Sequence, residues 1–125
     1  MKLNLMAIAV ALILTAVLAI FGFYVGLIAV IAPIVGGLVA GYYTSTTGDG
    51  ALNGGIGAGI GGLIYTVIAY YVFASVITAL TTFVPTGATF AVTVVGALII
   101  DFILGAIGGV IGVLLKGEKA AETTE

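Results

Sequence analysis

Apolar residues run through this chain in blocks too long for a soluble fold, and the few polar positions between them predict where each block ends. No side chain from Leu5 to Tyr43 carries a charge. As a single helix that stretch would measure about 58 Å, nearly twice a hydrocarbon core of about 30 Å. It must bend back or break. Phe21 to Gly26 joins two glycines with aromatics of the kind that settle at a membrane interface, and Pro33 lacks an N–H and clashes with the turn before it. The first site is the preferred turn, giving spans over about 3–20 and 25–43, the second kinked at Pro33. The rival is one tilted helix to about Ile31 followed by a half-helix. Thr44 to Gly50 is the clearest polar turn, and Asp49 is placed to cap the helix after it. A third span then covers about 51–80, a break marked by Pro85 follows, and a fourth covers about 88–115.

The expected fold is therefore all-α and integral to the membrane: four transmembrane helices in a glycine-packed bundle. One transmembrane domain fills 1–115, and a charged cytoplasmic tail fills 116–125. Composition agrees. The chain is 62% hydrophobic and 6% charged with a mean hydropathy of +1.42, whereas about a quarter of a soluble domain is charged. Lys2 and the apolar run up to Val17, Leu18 and Ala19 have the outline of a secretory signal. The run continues almost to Tyr43, so a retained first span is the simpler account. All three basic residues are lysines flanking the ends, which by the positive-inside rule puts both termini in the cytoplasm with the 44–50 turn.

Several chemistries lose their parts at once. Cysteine, histidine, tryptophan and arginine are absent, which removes disulfides, thiol and imidazole catalysis and the common zinc ligands. Asp49, Asn53 and nearby hydroxyls are too few for calcium, which needs about six oxygens. No cofactor, metal or enzymatic activity is expected. A net charge of −2 gives no basic stripe for nucleic acid, which leaves lipid and other membrane proteins as partners.

Small residues recur four apart: Gly22 and Gly26, Gly37 and Gly41, Gly55 and Gly59, Gly57 and Gly61, Gly105 and Gly109, Gly108 and Gly112. Each pair shares one helix face, and close backbone approach over such faces holds membrane bundles together. The faces serve either the helices of one chain or contacts between copies. A homo-oligomer or a subunit of a membrane complex is the expectation.

At Gly36-Gly37-Leu38-Val39-Ala40-Gly41-Tyr42, then Asp49-Gly50-Ala51 leading into Gly54-Gly55-Ile56-Gly57-Ala58-Gly59, the chain resembles small archaeal four-span membrane proteins carrying a domain of unknown function. The resemblance implies a four-helix integral membrane protein of unassigned activity. It carries over no catalytic residue.

Asp101 lies thirteen residues into the apolar stretch from Ala88 to Leu115. An aspartate there costs roughly 2.5 to 3.5 kcal/mol, and such residues commonly face a bundle interior, pair, or carry a proton or ion. Ala97, Asp101, Gly105 and Gly109 share a helical face, so Asp101 should point inward while Ile99, Phe102, Ile103 and Ile107 cover other directions. No lysine stands at that depth. Tyr65, Thr66 and Tyr70 on the third span and Thr15 on the first are its candidate hydrogen-bond partners. Loss of water favours the neutral acid.

Two functions compete. The leading expectation is a non-enzymatic multi-pass protein that assembles through its glycine faces as an accessory, scaffold or structural component. The alternative is an oligomeric proton or cation channel or carrier that uses Asp101. A glycine-rich helix followed by one with a central carboxyl is similar to the ring subunits of rotary ATPases, but two additional spans and the lack of a basic loop at 81–87 depart from that pattern.

Overall fold

The computed structural model describes residues 2–22, 26–81 and 87–117, with side-chain surroundings described except at 26, 29, 70, 72–81, 87–90 and 93. Four helices follow in order: α1 (Leu5–Gly22), α2 (Gly26–Tyr42), α3 (Thr47–Thr81) and α4 (Gly87–Lys116). Tyr70, the break around Pro85 and the tail beyond Gly117 fall outside what is described.

Local chemistry sets the helix starts. Asn4 caps α1, its side chain accepting from the Ala7 amide at 3.2 Å while its carbonyl accepts from Ile8 at 2.9 Å. Thr46 rather than Asp49 caps α3: its hydroxyl accepts from the Asp49 amide at 3.2 Å and its carbonyl from Gly50 at 2.8 Å. The expected polar turn is thus shorter than 44–50, because its second half is already helix. Asp49 falls in the first turn of α3, where a carboxylate complements the helix dipole. Pro33 lies inside α2 and does not end it. At the far end of α4, Gly117 adopts φ 97° and its amide bonds the Val113 carbonyl at 3.0 Å, a left-handed stop that glycine takes without a Cβ clash.

α1 packs on α2 and α3, and α4 packs on the same two from the other side, with α2 and α3 also in contact. α1 and α4 therefore occupy opposite corners. Contacts advance in step between α1 and α3 and between α2 and α4, and run in opposite senses between α3 and α4, so the helices alternate up and down.

Residue volume, more than polarity, separates inside from outside. α1 buries Ala7, Ala11, Thr15, Ala19 and Gly22, one stripe of small side chains, and Ala32, Pro33, Ala40, Ala58 and Val113 are buried on the other helices. Large aliphatics point outward: Leu5 is 80% exposed and Leu27 69%. In water this would be an aggregating surface, but in lipid it is the expected arrangement. Three helices, Leu5–Gly22, Thr47–Ala69 and Val94–Lys116, are long and apolar enough to cross a membrane. All four expected helices are present, and the described apolar stretch of the second, Val30–Tyr42 in α2, is shorter than the other three.

Candidate functional site

Glycine contacts set the frame in which the site lies. A Cβ on Gly37 or Gly41 of α2 would strike the Gly105 or Gly109 carbonyl of α4, and one on Gly108 or Gly112 would strike the Ile34 or Leu38 carbonyl of α2. The α3 side is equally close, with Gly50 against Gly109, Gly54 against Gly105, and a Cβ on Gly55 falling 3.1 Å from the Phe102 ring. A Cβ on Gly59 would lie 3.3 Å from the Leu98 side chain. Gly57 and Gly61 lie against α1, a Cβ on either falling 2.6 Å from the Ile8 or Leu12 carbonyl. Every glycine in the expected packing set, Gly37, Gly41, Gly55, Gly57, Gly59, Gly61, Gly105, Gly108, Gly109 and Gly112, thus touches a neighbouring helix of its own chain.

One end of the bundle is closed by polar groups. The buried Asn53 side chain accepts from the Asn4 amide at 2.6 Å and donates to the Lys2 carbonyl at 2.9 Å and the Asp49 carbonyl at 2.7 Å. Asp49 accepts from the Lys2 amide at 2.7 Å, and Asn4 donates to the Tyr43 carbonyl at 2.7 Å. The Lys116 ammonium donates to the Tyr42 and Thr44 carbonyls at 3.1 and 2.7 Å, which places a cation on the carbonyl end of α2. The start of α1, the α2–α3 turn and the end of α4 therefore lie together.

Asp101 stands at the middle of α4, fourteen residues from Gly87 and fifteen from Lys116. It points inward as its helical face requires, and Gly62 makes room for it: a Cβ there would occupy the place of the carboxylate. A cavity of about 260 Å³ opens beside it, lined by Asp101, Ala97 and Ile100 of α4, Tyr65 and Thr66 of α3, Thr15 and Ala19 of α1 and Pro33 of α2. All four helices contribute to its walls. Thr15, Tyr65 and Thr66 are thus brought to the same space as Asp101.

None of them is bonded to it. Thr66 gives its hydroxyl hydrogen to the Gly62 carbonyl of its own helix at 2.8 Å. The Thr15 hydroxyl, 1% exposed, has no hydrogen-bond partner. Ile99, Phe102, Ile103 and Ile107 turn outward. Among the described residues no cluster of three or more acidic, histidine or cysteine side chains is assembled. The arrangement offers one acid, several hydroxyls and apolar walls.

A family model described as Family of unknown function (DUF5518) matches residues 5–115, from the first residue of α1 to the last turn of α4. The chain belongs to that family. No curated protein and no solved structure matches it. The matched segment of this DUF5518 member holds the glycine contacts and the Asp101 cavity, while Lys2, Asn4 and Lys116 of the polar end lie just outside it. The functional positions of Asn4, Asn53, Gly62 and Lys116 in this DUF5518 bundle are set by contacts between helices that the sequence pattern does not mark. Asn4 had one available signal, a capping residue immediately before an apolar run.

Proposed function

We propose that this protein is a non-enzymatic integral membrane component, an accessory, scaffold or structural element of a cell membrane or of a complex within it. Both termini face the cytoplasm, and the membrane is archaeal in kind by the resemblance of the central glycine run. The observation that carries this reading is the interlock of glycines against neighbouring backbones, which fixes a bundle whose outer surface is large aliphatic side chains. Because those glycines are engaged within one chain, association with further copies or other proteins uses the lipid-facing surface. Crosslinking in native membranes tests it: a species larger than one chain is expected, and recovery of only the uncoupled monomer would end the proposal.

A second reading has its own support. An acid retained as interhelical glue should be hydrogen-bonded across the interface, yet Asp101 lines a cavity with no bonded partner among the described residues. That favours proton or cation handling. In liposomes carrying the purified chain, a pH gradient should dissipate with the unmutated protein and persist with Asp101→Asn. A gradient that persists with the unmutated protein would eliminate this reading.

A further inference from the structure

We propose that the Asp101 cavity binds a small organic ammonium ion. This rests on the reading of Asp101 as a proton or cation site and narrows it to one class of cation.

Charge comes first. Among the described residues no basic side chain faces the cavity, so its carboxyl takes up either a proton or a positively charged guest. An inorganic cation is poorly served. Calcium takes 6–8 oxygen ligands and magnesium demands near-octahedral ones, whereas the described side chains of the walls bring one carboxylate and the hydroxyls of Tyr65 and Thr66. The Thr66 hydrogen is already committed to the Gly62 carbonyl. Too few oxygens remain to replace a hydration shell.

The apolar walls point the same way. Pro33, Ala97 and Ile100 offer hydrocarbon to a guest that carries hydrocarbon of its own, and Tyr65 adds an aromatic side chain to the lining, a residue type that attracts quaternary and alkylated ammonium groups. A volume of about 260 Å³ admits a compact alkylammonium and excludes large dye-like cations. The Thr15 hydroxyl, buried without a partner, turns toward Gly36 of α2 and takes no part in holding the guest.

Protons compete for the site. Among the described residues that line it, Tyr65 on α3 is the only titratable group besides Asp101, and α1 and α2 contribute Thr15, Ala19 and Pro33, none of them charged. Acid should therefore expel the guest through Asp101 alone.

The test uses the purified full chain in lipid nanodiscs, titrated calorimetrically with tetraethylammonium chloride, whose charge does not change with pH. Saturable binding at one site is expected, weakened on acidification, insensitive to equal sodium chloride, and abolished by Asp101→Asn. The absence of saturable binding to the folded, unmutated chain would overturn the proposal, as would binding that survives Asp101→Asn or yields to sodium equally. Proton flux without tetraethylammonium binding defeats this inference and leaves proton handling standing. Binding without flux leaves the site standing and defeats transport.

Discussion

At the scale of single residues, the molecule holds two polar groups in opposite situations. Asn53 is buried with every hydrogen bond engaged, to groups at Asn4, Lys2 and Asp49, whereas Asp101 is half-buried and bonded to none of the described residues. Removing the first should therefore cost and removing the second should help. Asn53→Ala leaves the Asn4 amide and the Lys2 carbonyl without their partner, an expected loss of about 1–3 kcal/mol in reversible unfolding in mixed micelles. Asp101→Leu removes an unpaired polar group and adds hydrocarbon beside the cavity, an expected gain of about 1 kcal/mol or more in the same assay. A loss on Asp101→Leu would mean that the acid is structural glue after all. The sequence exposes Asp101 plainly, since one acid in a long apolar run is visible to anyone counting charges. Asn53 is invisible by the same measure, because its partner Asn4 lies 49 residues away and only the fold brings them together.

At the scale of elements, helix faces were legible and helix partners were not. Spacing by four puts Gly105 and Gly109 on one side of α4, but nothing in the spacing says that α2 and α3 both press on that side. The difference has a measurable form. Gly109→Leu drives a side chain into the Gly50 backbone of α3 and should destabilise the bundle by at least about 1–3 kcal/mol, since backbone cannot move aside as a side chain can. Gly96 sits on the same helix with nothing within 4 Å of an added Cβ. Gly96→Leu should leave the unfolding transition in place or raise it slightly, because leucine is the better helix former. Equal damage from both substitutions would contradict the packing described. The helices also differ in reach: at 1.5 Å per residue α3 and α4 extend about 52 and 45 Å, while α1 and α2 reach about 27 and 26 Å. Against a core of about 30 Å the longer pair must tilt or project beyond it.

At the scale of the whole molecule, class and helix number were readable from hydropathy alone, because a bilayer demands long apolar helices. The boundary at Thr47 was not, since cap geometry decides it and Thr46 and Asp49 are both good caps by type. The alternating helices and the polar end put the start of α1 and the α2–α3 turn on one face of the membrane. The chain has no cysteine, so Lys2→Cys and Ser45→Cys each introduce a lone thiol, and both should react with a membrane-impermeant reagent added to the same side of sealed vesicles. Labelling from opposite sides would break the topology. The polar end also dictates an order of events on the ribosome. The first turn of α1 can be tied only when Asp49 and Asn53 have been synthesised, and the carbonyls of α2 receive their ammonium only when Lys116 arrives. At about 5–20 residues per second, α1 stays untethered for some seconds after it is made, and the last bond at the polar end closes only once nearly the whole bundle has left the exit tunnel.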